Sequence, residues 1–132
     1  LLDDSGRTPQ ELTARGAVLM TPAYASPEQV AGLPVGTASD VYSLGVLLYE
    51  LLAGTSPYRP ARSSRTALEE AVLSEPPRRP SDACADAARR RLLRGDLDAI
   101  VLQALAKDPR QRYATVDAML EDLRRWRRHE PV

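Results

Sequence analysis

The sequence predicts a mainly α fold, and two observations carry that prediction. From Ser39 onward, apolar residues recur at intervals of three and four, while no short stretch alternates cleanly between apolar and polar. Cap-forming residues, glycine and proline stand at the ends of these periodic stretches. With 132 residues, 43% of them apolar, the chain fits one ordinary domain or a large piece of one.

The first nineteen residues read as loop, because Asp3, Asp4, Ser5, Gly6, Thr8 and Pro9 crowd together without a period. "MTPAYASPEQV" follows as a proline-stiffened segment. "SDVYSLGVLLYELLAG" then offers Ser39 or Asp40 as a helix cap and Gly54 as the stop, with Val41, Leu44, Leu47, Leu48, Leu51 and Leu52 as its stripe. Val46 and Tyr49 add apolar bulk on the other side, so this helix is expected to be a central post surrounded by others. Gly45 lowers its helix propensity by about 1 kcal/mol relative to alanine, which points to a close approach there. Thr66 and Glu69 have capping-box spacing and open a helix that ends before Pro76. Further helices are expected over residues 85–94 and in "DLDAIVLQALAKDP", where Leu97, Ile100, Val101, Ala104 and Leu105 form one stripe closed by Pro109. Thr115 caps a last helix that buries Met119, Leu120 and Leu123, with Trp126 along the same face.

Composition excludes several functions. Eighteen basic residues balance eighteen acidic ones, so no global field steers the chain to nucleic acid or a membrane. Arg124, Arg125, Arg127 and Arg128 could meet phosphate in a small basic-patch nucleic-acid-binding domain, but they also suit the wet side of an amphipathic helix. No apolar run is long enough to cross a bilayer, and the start lacks the basic-then-apolar pattern of a signal peptide. Cys84 and His129 are single, which excludes an internal disulfide and leaves a zinc site without its ligands. Asp3 and Asp4 lack further oxygen ligands at regular spacing and read as solvated loop charge. Ser43 and Ser56 have no positioned base that would make either a nucleophile.

Three motifs in order carry a resemblance. Thr21-Pro22-Ala23-Tyr24-Ala25-Ser26-Pro27-Glu28 resembles the end of a protein kinase activation segment, with Ser26-Pro27-Glu28 in place of the usual Ala-Pro-Glu. Asp40-Val41-Tyr42-Ser43-Leu44-Gly45 resembles the start of the central helix of the C-terminal lobe. Lys107-Asp108-Pro109-Arg110-Gln111-Arg112-Tyr113 resembles the loop ahead of that lobe's last helix. The chain is therefore similar to the C-terminal lobe of a bacterial eukaryotic-like serine/threonine kinase, beginning within the activation segment. Residues 1–38 would be the activation segment and substrate-positioning loop, and residues 39–130 the helical remainder.

The resemblance implies roles residue by residue. Glu28 would pair with a buried Arg112 and support the substrate site. Asp40 would accept backbone N–H groups from a catalytic loop, a role that coexists with simple helix capping. Thr21 would contact that loop's catalytic groups, and Pro22, Ala23, Tyr24 and Ser26 would line the pocket for a protein substrate. A purely conformational role for this loop is the alternative. Thr13, Thr8 and Ser5, in that order, are candidate phosphorylation sites. Met20 departs from the family, standing where many members carry glycine.

The glycine-rich loop, the strand lysine, Asp-Phe-Gly and the catalytic aspartate that hold ATP and Mg2+ in a kinase do not occur in these 132 residues. ATP and Mg2+ are thus implied for a full-length parent, and this chain alone is expected to be inactive, with no catalytic, cofactor or metal residue of its own. Expected partners are protein substrates, the N-terminal lobe and catalytic loop of the parent, and a second copy of the chain through exposed apolar surface. The expected location is cytoplasmic, with any membrane anchor of the parent lying elsewhere. A pseudokinase-type docking module, using the helices around Pro57 to Arg79, is the alternative function. His-Arg-Asp and Asp-Phe-Gly upstream of Leu1 would decide between the two.

Overall fold

The computed structural model describes residues 24–60 and 64–132, and every regular element among them is helical. In chain order these are α1 (Pro27–Val30), α2 (Thr37–Ala53), α3 (Arg65–Ser74), α4 (Pro80–Ala83), α5 (Ala87–Leu93), α6 (Asp96–Ala104), a 3-10 turn (Pro109–Gln111) and α7 (Val116–Arg127). The mainly α prediction agrees with this architecture. None of these helices is long and apolar enough to cross a membrane.

α2 is the centre of the lobe, packed against α4, α6, α7 and the 3-10 turn. Its cap stands three or four residues earlier than its sequence suggests. Gly36 is the cap residue, and its N–H donates to Ser39 Oγ at 3.4 Å, so neither Ser39 nor Asp40 caps the helix. Gly54 ends it as expected, in the left-handed conformation at φ 76°, with its N–H on the Glu50 carbonyl at 2.9 Å.

The buried face of α2 is a second correction. Tyr42, Val46, Tyr49 and Ala53 enter the main core with Tyr58, Ala71, Val72, Val101 and Leu105. Of the expected stripe, Val41 is fully buried and Leu48 and Leu52 pack against the core, whereas Leu44 and Leu47 are half-buried and Leu51 is 76% exposed. The reason is Gly45. A Cβ there would lie 2.8 Å from Ala104 Cβ and 3.1 Å from Leu105 Cδ2, so the missing side chain lets α6 approach on that side and not on the side of Leu44, Leu47 and Leu51. Leu44, Leu47, Leu48 and Leu51 instead line an open apolar groove of 270 Å³ with Val116, Met119, Leu120 and Leu123 of α7.

The remaining boundaries follow local chemistry. α3 is capped by Ser64, whose hydroxyl accepts from Ala67 N at 3.0 Å, and not by Thr66; Glu69 pairs with Arg65 instead of closing a capping box. The helix expected over 85–94 is α5, capped by Asp86, whose carboxylate accepts from Ala88 and Arg89 N–H, and a short helix not expected from the sequence, α4, opened by Pro80, precedes it. All five residues of the α6 stripe are buried, yet Pro109 does not close α6. That helix ends at Ala104, and Pro109 opens the 3-10 turn capped by Asp108. Thr115 caps α7 through Ala118 N at 3.1 Å; Met119 is buried, Leu123 is half-buried, and Leu120, expected inside, is 38% exposed on the groove.

Candidate functional site: the floor of the 24–30 loop

Ser26-Pro27-Glu28-Gln29 folds as a single helical turn because both ends of a capping box are present. Gln29 N donates to Ser26 Oγ at 3.3 Å, Ser26 N donates to Gln29 Oε1 at 2.7 Å, and Pro27 fits the first helical position, where no N–H is needed. The turn directs Glu28 inward, leaving it 7% exposed. Ser26 is fully buried and its hydroxyl serves the turn, so its side chain is not a pocket-lining group as its place in the sequence suggests.

Arg112 meets Glu28 from the far end of the chain. Asp108 accepts from Arg110 N at 2.9 Å, which fixes the 3-10 turn and delivers Arg112 to the interior. Its Nη1 donates to Glu28 Oε2 at 2.6 Å and its Nη2 to Glu28 Oε1 at 2.8 Å, a bidentate pair between buried groups. The other donors reach main-chain carbonyls: Nε to Ala106 at 2.7 Å, Nη1 to Ala38 at 3.0 Å and Nη2 to Lys107 at 3.2 Å. Every N–H of the guanidinium is therefore used. The Tyr42 ring lies 5.0 Å from its centre and covers its face.

The carboxylate is equally well served. Burial by itself would raise the Glu28 pKa, but the Arg112 guanidinium, the Ser39 hydroxyl at 2.6 Å and the backbone N–H of Glu28 outweigh it and hold Glu28 at about 2. The pair is ionised throughout the physiological range.

Two further bonds fasten the loop to α2. Ser43 Oγ donates to the Tyr24 carbonyl at 2.8 Å, and Tyr24 Oη donates to Glu50 Oε1 at 2.9 Å, which raises the Tyr24 pKa. Ser39, Ser43 and Glu50 fall within about 40° of one another around the helix at 3.6 residues per turn, so one face of α2 carries three polar rungs for the loop. Sequence reasoning missed all three in this role. The signal was present, because polar groups at this spacing on an otherwise apolar buried helix require partners.

Thr21, Pro22 and Ala23 lie outside the described residues, as do Asp3, Asp4, Met20 and the hydroxyls of Ser5, Thr8 and Thr13. Asp40 is exposed on the first turn of α2. Among the described residues no three His, Cys, Asp or Glu side chains gather to hold a metal ion, so no chemistry is assigned to Mg2+ or a nucleotide on these residues. Arg124, Arg125 and Arg128 are exposed and paired with Glu121, Asp122 and Glu130 at 2.9–3.8 Å, ordinary solvated ion pairs of a helix surface.

A loop anchored by a buried Glu-Arg pair onto a helical lobe is the arrangement of a kinase C-terminal lobe, and the chain belongs to the protein kinase family: the protein kinase domain matches residues 6–123. Serine/threonine-protein kinase PknB of Mycobacterium tuberculosis is 43% identical over 128 residues, covering 97% of this chain and 19% of that protein. The probable serine/threonine-protein kinase PknB of Corynebacterium glutamicum is 37% identical over 118 residues, 89% of this chain and 18% of the relative. Among solved structures, the twitchin kinase region from C. elegans superposes with a TM-score of 0.59 at 30% identity, over 76% of this chain and 16% of that one. The chain thus spans about a fifth of the length of the curated relatives it matches.

Proposed function

We propose that this chain is the substrate side of a serine/threonine kinase that transfers the γ-phosphoryl group of ATP to protein hydroxyls. In this reading residues 1–38 are the activation segment and substrate-positioning loop, and residues 39–130 are the rest of the helical lobe. The observation that supports it most is the buried Glu28–Arg112 pair, since it spends a fully satisfied ion pair on anchoring one short loop.

The chain's own contribution is positioning. Glu28, held by Arg112 and Ser39, fixes the base of the loop, while Ser43 and Glu50 hold Tyr24. Thr21, Pro22, Ala23 and the Tyr24 main chain then present a protein substrate to catalytic groups supplied from the rest of the kinase. Asp40, exposed at the start of α2, receives backbone N–H groups of the catalytic loop. ATP and Mg2+ bind to residues outside this chain. The kinase works in the cytoplasm, and phosphorylation at Thr13, Thr8 or Ser5 orders the segment ahead of the loop.

The test is phosphoryl transfer from labelled ATP to protein serine and threonine by the full-length protein that carries this sequence. Transfer by the full-length protein, with none by the 132-residue chain, is expected. No transfer by a full-length protein with intact His-Arg-Asp and Asp-Phe-Gly motifs would overturn the reading in favour of a docking module.

A further inference from the structure

Lys107 is the sole lysine of the chain, and its half-buried side chain is committed to partners within the protein. Its Nζ donates to the Val72 carbonyl at 2.6 Å and to Tyr58 Oη at 2.7 Å, with the Ala71 carbonyl at 3.4 Å. It also lies 4.3 Å from the centre of the Tyr58 ring. Val72 and Ala71 belong to the last turn of α3, where the dipole favours a cation; the Ala71 carbonyl already accepts from the Glu75 N–H at 2.8 Å. α3 has no basic residue in its own last turn, so Lys107 supplies that cation from 35 residues away. Burial lowers the amino group to about 8, as expected for an ammonium taken out of water.

The same residue touches the Glu28 anchor through its backbone. Its carbonyl accepts from Arg112 Nη2 at 3.2 Å, and Tyr58 Oη lies 2.8 Å from the hydroxyl of Tyr42, whose ring covers Arg112. In α3 only Ala71 and Val72 are buried, Leu68 adds a partly buried contact to the core, and the helix also packs against α1. Yet Arg65 and Glu69 of α3 form one wall of a 410 Å³ surface groove whose other wall is the loop, through Ala25, Gln29, Val30, Gly32, Leu33 and Val35. As one ten-residue helix, α3 carries that wall together with its Lys107-bound C-terminal end.

We infer that Lys107 is a positioning residue for protein-substrate binding, because it locks α3, and with it the wall of the groove beside the loop, to the main-chain segment that also holds Arg112. This inference rests on the kinase reading above. Lys107 touches no reacting group and acts only through α3.

The experiment uses the full-length kinase with K107M, K107R and Y58F, with steady-state kinetics and amide hydrogen exchange measured on each. K107M keeps the stem and removes the ammonium. It is expected to raise KM for the protein substrate about tenfold, which corresponds to 1.4 kcal/mol of binding, with kcat and the KM for ATP within about twofold of wild type. Exchange should accelerate over residues 65–74 and stay unchanged over 37–53. K107R should restore part of both effects. Y58F, which removes one acceptor and keeps the charge, should give a smaller change in the same direction and decides the matter if K107M does not fold. Unchanged protein-substrate KM and unchanged exchange over 65–74 in both variants would overturn the inference, as would a loss of kcat with uniform acceleration across the lobe. If wild type transfers no phosphate, the kinase reading fails on its own, and the exchange data still decide whether Lys107 holds α3.

Discussion

Arg112 and Glu28 stand 84 residues apart in the chain and meet through two parallel hydrogen bonds of 2.6 and 2.8 Å in the interior of the lobe. Removing either partner leaves the other as an uncompensated buried charge. Glu28→Ala or Arg112→Ala is expected to destabilise by about 3–5 kcal/mol in denaturant unfolding. The double variant should cost clearly less than the sum of the two, because neither charge is then stranded. Additive losses would show that the pair is not coupled.

Acid should attack the same contact. Glu28 is held at about 2 against an ordinary value of 4.5, so its folded form binds a proton less readily than its unfolded form. The stabilisation is complete above the unfolded value and is lost as pH falls from about 4.5 towards 2. Glu28→Gln should flatten that limb of a stability profile between pH 5 and pH 2, leaving the neutral region as its new baseline. A wild-type profile already flat over that interval would count against the assignment.

Gly45 makes a prediction of opposite sign from its propensity. Alanine there would gain about 1 kcal/mol as a helix former. It would also set a methyl 2.8 Å from Ala104 Cβ, and overpacking of this kind costs about 1–3 kcal/mol. Gly45→Ala is therefore expected to lower the unfolding midpoint, and Ala104→Gly in the same chain should recover part of the loss beyond additivity. A raised midpoint for the single variant would place α6 further away.

The loop fastenings can be released separately. Tyr24→Phe removes one hydrogen bond to Glu50 and Ser43→Ala one to the Tyr24 carbonyl, each worth about 1 kcal/mol. Amide exchange over residues 24–30 should accelerate in both variants while α7 stays at its wild-type rate. In the proposed kinase the same variants should raise KM for protein substrate.

The 132-residue chain by itself presents the leucine groove between α2 and α7 to water, with Leu51 76% exposed and Leu120 38% exposed. Apolar surface of that kind is covered by association. Its thermal transition should move with protein concentration, and Leu51→Glu should remove the dependence. A cooperative transition independent of concentration would argue that the groove needs no cover.

Much of this was legible in the residues. The helix order, Gly54, the α6 stripe and the Thr115 cap are local signals, and local signals survive folding. What the sequence concealed was how far the inward side of α2 extends, since Leu44, Leu47 and Leu51 read like Val41, Leu48 and Leu52 yet lie outside it, while Tyr42, Tyr49 and Ala53 lie within. That choice depends on the fit between Gly45 and Ala104, a contact between distant positions with no periodic trace. The boundary at Gly36 was displaced for a related reason. Ser39, a plausible cap by type, has its hydroxyl committed to Glu28 in the interior. The Lys107 contacts were hidden altogether, because nothing local distinguishes a pinned lysine from a solvated one.

The Gly45 contact has a mechanical consequence for the loop. Gly45 sits about 200° around the helix from Ser43, on the side of α2 away from the three polar rungs. It acts as a detent: a slip of α2 by one residue would bring Leu44 or Val46 against Ala104, where there is no room for either. With that side indexed to a single register, the opposite side has only one place to offer a hydroxyl or a carboxylate. The 24–30 loop is thus gauged from behind, by the clearance of one missing methyl group.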